Sequence, residues 1–458
     1  MKLETLTIKN FRCFENLSIS LHPNMTALVA VNGQGKSTLL DAIRIALWPY
    51  ISSFDLAKTA FADPANAITI NDVRMVRMPE GDMARQLPSQ IEVTGDYGNG
   101  LASWSRLRES EARRSKTKEH ESVKHLKQQA ETLQQLIRDP QQTNIDLPVF
   151  GYYGTGRLWA TKRLMENAKA VKDDTKDADF YIRTFAYRNC MDPASSYKHF
   201  REWFIWAYES YTETAIRSNV FQQEKDEANN RIKVVQQVID ALLMETGWHT
   251  LEYSVRYEKS LVLQHHDHGI LKADLLSDGI RSVLAMAGDI AYRCIKLNPH
   301  YGMDAAKKST GIVLIDEVDM HLHPSWQQLI LSQLQQAFPN IQFIVTTHSP
   351  QVLSTVPKES IRLLSINVEG ESVASIPIAY SYGEPSNDVL QAIMHVDPQP
   401  PVPEKADLER LTAIVDQGDY ENKEAKNLLA DLKQRLNAHH PQIEKIERSI
   451  RRQKAIKG

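Results

Sequence analysis

The sequence predicts an α/β protein with a mixed β-sheet, a helical insertion and a helical C-terminal extension. Three observations carry this. Thr26–Val31 is strand-like and runs through a glycine-rich turn into an apolar helix marked by Leu39, Leu40, Ile43, Ile45, Ala46 and Leu47. Gly311–Ile315 and Ile341–Val345 are continuously apolar, as strands buried on both faces of a parallel sheet must be. Between these two regions, Tyr197–Met244 has the character of long helices with an aromatic face (Phe200, Trp203, Phe204, Trp206, Tyr208).

The remaining elements follow in chain order. The N-terminus, MKLETLTIKNFRCFENLSISL, alternates apolar and polar residues, which predicts strands at Leu3–Ile8 and Leu17–Leu21 and not a signal peptide. Further strands are expected near Ile68–Val73, Gln90–Val93 and Ala102–Leu107. Glu109–Arg138 is charged and Gln-rich with sparse leucines, so it predicts a solvated helix or helical arm. LPVFGYYGTGR, 147–157, returns to strand and turn, and Lys169–Asp179 is a charged linker. Leu251–Tyr257 and Ser260–His265 form a hairpin, and VDPQPPVPEK, 396–405, is a proline-rich boundary. Ala406–Lys457 predicts a hairpin of helices with a basic end. Four segments result: 1–108, 109–250, 251–395 and 396–458.

Composition narrows the class. The 458 residues are 42 % hydrophobic and 24 % charged, with a formal net charge of −3, so no overall charge advertises a nucleic-acid partner. Cys13, Cys190 and Cys294 are widely separated and lack metal spacing, which fits a reducing cytoplasm. No apolar run reaches the ~18 residues of a membrane span, so no membrane partner is expected.

Three motifs carry chemistry. The first is AVNGQGKST, Ala30 to Thr38, between strand and helix. Backbone N–H groups of such a loop, with Asn32, Gly33 and Gly35, cradle phosphates, and the helix start adds a favourable dipole. Lys36 would reach the β- and γ-phosphates, the Ser37 hydroxyl would ligate Mg²⁺, and Thr38 would lie near the α-phosphate of ATP. Ala30 stands where the full pattern has its first glycine. The second is GIVLIDEVDMHLHP, 311–324, in which an apolar strand ends in Asp316-Glu317. Asp316 would hold Mg²⁺, and Glu317 would polarise the attacking water. The third is FIVTTHSP, 343–350, where His348 at a neighbouring strand end could reach the γ-phosphate. A fourth stretch, LSDGIRS at 276–282, has a serine, a glycine and a helix start, all features that hold phosphate.

In this order the motifs resemble the ABC-type P-loop ATPase heads of the RecF, SMC and OLD group. LTIKNFRCFENLSI matches the group's N-terminal strand and turn, and the resemblance brings Arg12 toward the nucleotide. VNGQGKST matches Walker A, IVLIDEVDMHLHP Walker B with an Asp319 loop, and TTHSP the His switch. LSDGIRS matches the ABC signature, so Ser277 and Gly279 would contact the γ-phosphate held by an opposite subunit, which implies a homodimer or higher homo-oligomer. LPVFGYYGTGRLW, YRNCMDPASSYKHFREWF and YGEPSNDVLQAIMHVDPQPP look like the PtuA family, the ATPase subunits of Septu antiphage systems and of some retron defence systems. That likeness implies an HNH endonuclease companion (PtuB-like) and, in retron versions, a reverse transcriptase with its RNA–DNA hybrid, with nucleic acid met through the complex. The other reading is a RecF- or SMC-like DNA clamp acting in repair.

Departures from the pattern matter. Asp278 stands at a glycine position of the signature and Ile280 at that of its final glutamine. An acidic residue facing a triphosphate repels it unless it points away or serves the helix start, so slow hydrolysis is expected. Tyr152–Arg157 occupies the part of the chain where a Q-loop glutamine would fall. After His348 there is no D-x-D, so the Toprim nuclease of OLD proteins is not expected in this chain. HHDHG, 265–269, offers conceivable metal ligands but reads better as a polar hairpin end.

Overall fold

The computed structural model describes the whole chain except residues 58–63, 99, 113–114, 157–179, 194–195, 218, 438 and 458. The expected charged linker Lys169–Asp179 lies outside the described residues. The chain forms two compact units, Met1–Val389 and Leu390–Gly458.

The first unit is built on a six-stranded sheet in the order Ser372–Ser375, Ile361–Ile366, Met25–Val29, Ile341–Thr346, Gly311–Ile315, Val149–Tyr153. All neighbours are parallel except the first pair, so the sheet is mixed. Met25–Val29, Gly311–Ile315 and Ile341–Thr346 are buried at every residue, which explains their unbroken apolar character. Register places Thr346 opposite Leu28, Val345 opposite Ile315, and Ile315 opposite Tyr153. The carboxyl ends of these strands therefore stop at one level, where the chain leaves into the three motifs.

A second, antiparallel sheet of five strands runs Phe14–Ser20, Lys2–Phe11, Ser89–Asp96, Leu101–Arg108, Lys118–Glu119. Helix Lys36–Ile51 packs on it and is buried at twelve of its positions, among them Leu39, Leu40, Ile43 and Leu47. Trp104 Nε1 donates to Ala46 O at 2.9 Å and Arg106 to Ile45 O at 2.7 Å, tying helix to sheet. Gln342 joins the two sheets by accepting from Leu3 N and donating to Leu3 O, each at 2.8 Å. A buried amide so satisfied on both sides fixes register where apolar contact alone would allow slippage.

Several elements differ from expectation for local reasons. Ile68–Val73 is not a strand: Thr69 N–H and Thr69 Oγ1 both donate to Asp72, at 2.9 and 2.6 Å, and close a turn around Ile70–Asp72. Helix Val123–Leu136 is not solvated all round. Val123, Leu126 and Ala130 are buried, and Gln134 accepts from Asp55 N at 3.0 Å. The hairpin Trp248–Ser254, Ser260–His265 gains a third strand, Gly269–Lys272. Helices Ser196–Ile216 and Gln222–Leu243 pack against helix Asp278–Leu297. The aromatic face is spent there, with Trp203 against Tyr292 at 4.7 Å between ring centres.

Among the described residues after the proline-rich boundary, the second unit holds helices Lys405–Asp416, Lys423–Leu436 and Pro441–Lys457, where the sequence suggested a hairpin of two. Leu408, Leu411, Val415, Leu432, Ile443 and Ile446 form its core. Gly418, at φ 86°, is one residue of the first turn and supplies a backbone geometry that other residues resist.

Candidate nucleotide-binding site

Strand Met25–Val29 ends and the chain turns through Ala30–Gly35 into helix Lys36–Ile51. Gly33 and Gly35 lie at φ 84° and 88°. At Gly35 a Cβ would come within 2.5 Å of the Phe14 ring and 2.7 Å of Cys13 Sγ, so only glycine lets the loop pass the N-terminal turn. Lys36 Nζ donates to Ala30 O at 2.9 Å, closing the loop on itself. Burial lowers the Lys36 pKa, and Asp316, Glu317 and Asp319 offset this only in part. A triphosphate in the loop would favour the charged amine.

Asp316 and Glu317 follow strand Gly311–Ile315 directly. Asp316 N–H donates to Tyr153 O at 2.8 Å. Its carboxylate is held from two sides: Ser37 Oγ donates to Oδ2 at 2.7 Å and Thr346 Oγ1 to Oδ1 at 2.6 Å. Glu317 has φ 48°, a left-handed conformation that costs a non-glycine residue about 1–3 kcal/mol. The next strand end contributes His348, followed by Ser349, whose hydroxyl accepts from Val352 N at 3.2 Å and donates to Gln327 at 2.7 Å. Thr347 Oγ1 donates to Asp319 at 2.6 Å, tying the third motif to the loop after the second.

Arg12, at φ 51°, comes from the N-terminal turn. It donates to Asp41 at 2.6 Å and Asp72 at 2.8 Å. Burial alone would lower its pKa, but these two partners outweigh it and the net shift is upward. Arg44 donates to the same Asp41 at 3.0 Å, and Tyr152 Oη lies 3.4 Å from it.

These residues surround one cavity of about 380 Å³. Its lining comprises Arg12, Cys13, Asn32, Gly33, Gly35, Lys36, Ser37, Thr38, Asp316, Glu317 and His348. All but two of the site residues expected from sequence line it. Ser277 and Gly279 are the two that do not. Ser277 is exposed and sits at the cap position of helix Asp278–Leu297, yet its side chain makes no cap hydrogen bond. Gly279 is buried against the chain's own loop: a Cβ there would meet His321 O at 2.5 Å. Asp278 is exposed and pairs with Arg281 at 3.2 Å, so it serves the helix start.

Thr346, Cys13 and Asp41 were not singled out from sequence. A polar residue closing the apolar run of Ile341–Val345 is the one available signal for Thr346. The region expected to hold a Q-loop residue instead supplies Tyr152 to Asp41 and Tyr153 to Asp289, the latter at 2.7 Å. In HHDHG, His265 Nδ1 accepts from Asp267 N and His268 N at 3.0 and 3.2 Å. His265, His266 and Asp267 each bring one possible ligand atom within 4.8 Å of the others.

Phosphate-cradling loop, acidic strand end and neighbouring histidine together define the nucleotide site of a P-loop ATPase. The chain belongs to the AAA domain family, whose model matches residues 5–246. It is 26 % identical over 440 residues to the retron Vc95 probable ATPase of Vibrio cholerae serotype O1 biovar El Tor, covering 87 % of this chain and 80 % of that protein. A shorter likeness, 44 % over 101 residues, is to the Septu protein PtuA of Bacillus mycoides (strain KBAB4), covering 22 % of this chain and 13 % of that one. Among solved structures, the SMC head domain from Thermotoga maritima is 14 % identical, covers 83 % of this chain and 100 % of that chain, and has a TM-score of 0.43. No helix among the described residues is long and apolar enough to cross a membrane.

Proposed function

We propose that the chain is the ATP-hydrolysing, regulatory subunit of an antiphage defence complex and that it works as a nucleotide-driven dimer. The Ser37–Asp316 hydrogen bond, 2.7 Å across 279 positions of sequence, carries this reading, because it assembles the two oxygen donors that a hard divalent cation on a triphosphate requires. The similarity to retron and Septu proteins supports the defence setting.

ATP enters the cavity with its phosphates in the Gly33–Lys36 loop. Hydroxyl and carboxylate oxygens suit Mg²⁺, so Ser37 and Asp316 would hold it; when bound it neutralises charge on the phosphates. Glu317 takes a proton from water as the water oxygen bonds to the γ-phosphorus. The bond from that phosphorus to the bridging oxygen breaks, and ADP leaves with the electron pair. Lys36 and His348 face the phosphates and offset the charge that moves onto their oxygens. Ser277 of a second copy completes the site over the γ-phosphate, and hydrolysis loosens the pair.

In this proposal cleavage of nucleic acid belongs to a companion HNH endonuclease, with a reverse transcriptase and its RNA–DNA hybrid in a retron setting. Segment 396–458 is the proposed docking region. Co-purification with the product of the adjacent reading frame, with and without ATP, tests this. An HNH protein retained in a nucleotide-dependent manner supports the reading. DNA cleavage by the purified chain alone in Mg²⁺ contradicts it.

A further inference from the structure

Thr346 is fully buried at the last position of strand Ile341–Thr346, next to the strand that delivers the acidic pair. Its hydroxyl donates to Asp316 Oδ1 at 2.6 Å and accepts from Glu317 N at 2.7 Å. One hydroxyl has one proton and two lone pairs, so both bonds are compatible at once. Its carbonyl also accepts from Val318 N at 3.0 Å. A single residue thus holds three consecutive residues of the neighbouring loop.

The consequences differ for the two acids. Asp316 has one oxygen fixed by Thr346 and the other turned to Ser37 Oγ at 2.7 Å, so the carboxylate is oriented without a nucleotide. Glu317 sits at φ 48°, and its N–H would lose its hydroxyl acceptor if Thr346 lost its oxygen. A left-handed glutamate persists only where its surroundings over-determine it.

We propose that Thr346 is a positioning residue for hydrolysis: its hydroxyl sets the direction of Asp316 and holds Glu317 in its left-handed conformation, so that the base is aimed before the nucleotide arrives. The inference rests on the reading of Glu317 as the base. Thr346 touches neither ATP nor water in this scheme, so its removal acts on turnover more than on binding.

The test compares wild type, Thr346→Val, Thr346→Ser and Glu317→Gln in the full-length chain. ATP turnover and the affinity for a fluorescent ATP analogue in Mg²⁺ are measured together with melting temperature. Outer-shell partners of this kind are worth about 10–100-fold in activity, so Thr346→Val should lower kcat by ~10–100-fold while nucleotide affinity changes by less than about threefold. Thr346→Ser, which restores the hydroxyl, should recover most of kcat. If Thr346→Val does not fold, Thr346→Ala against Thr346→Ser makes the same comparison. Normal turnover in Thr346→Val beside an inactive Glu317→Gln would overturn this proposal alone. Equal turnover in wild type and Glu317→Gln would overturn the hydrolysis reading and this inference with it. A Thr346→Ser variant as slow as Thr346→Val would show that the hydroxyl is not what matters.

Discussion

The nucleotide cavity and the turn at 276–282 both pair a serine and a glycine with a helix start, but they are built differently. Within one chain the cavity's loop and acid are already bound to one another, as in Ser37–Asp316 at 2.7 Å and Thr346–Asp316 at 2.6 Å. The turn is unfinished. Ser277 is exposed with no cap bond of its own, and it lines no part of the cavity. Yet the turn is not independent, because Gly279 presses on the backbone of His321 in the loop that follows Glu317. In the proposed function one region binds the nucleotide, and the other, packed against its loop, meets a second copy.

Breaking the cavity should have the largest effect. Lys36→Ala removes a charged contact worth about 1.5–3 kcal/mol, so ATP affinity should fall by ~10–100-fold in a titration with labelled nucleotide. Unchanged affinity would remove the loop from the account. Glu317→Gln keeps the shape and removes the base, so kcat should drop ~10²–10⁴-fold with binding retained. Binding lost along with turnover would mean that Glu317 serves structure instead.

The link between the regions can be broken separately. Gly279→Ala places a methyl where a backbone carbonyl stands 2.5 Å away. Overpacking of this kind costs about 1–3 kcal/mol, and the loop 318–323 must move to relieve it. Turnover should fall while ATP binding to the isolated chain holds. If turnover is unaffected, the contact is incidental.

The smallest effect concerns the far end of helix Asp278–Leu297. Burial, reinforced by Arg231, pushes Lys296 down to about 7, from an ordinary 10.5. Between those values the unfolded chain holds a proton that the folded chain lacks, so stability should rise with pH across that window. From pH 7 to 9 the gain should be on the order of 1–2 kcal/mol in denaturant unfolding, and Lys296→Met should flatten it. A wild-type profile that falls across the window would contradict the buried lysine.

The cavity was legible in the sequence because each part is local. A strand, a glycine turn and a helix start occur within Met25–Thr38, and Asp316-Glu317 ends its own apolar run. Parallel strands then bring these ends together without further instruction. What was not legible depends on contacts between distant segments. Nothing local reveals that Thr346 holds both acids, that Gly279 backs onto His321, or that Arg12 is shared between Asp41 and Asp72. The helix Val123–Leu136 was misread for the same reason: its sparse leucines suffice because the face they form meets a prepared partner. At Ile68–Val73 the β-branched residues suggested a strand, but Asp72 captured the local N–H and hydroxyl first.

In the proposed function the cavity of one chain is finished by Ser277 of another. Sedimentation of Glu317→Gln with Mg²⁺ and ATP tests it most directly, against the same protein carrying Ser277→Arg as well. ATP-dependent association of the first and none of the second is expected, although both bind ATP equally. Equal association of the two proteins, or none by either, would contradict it.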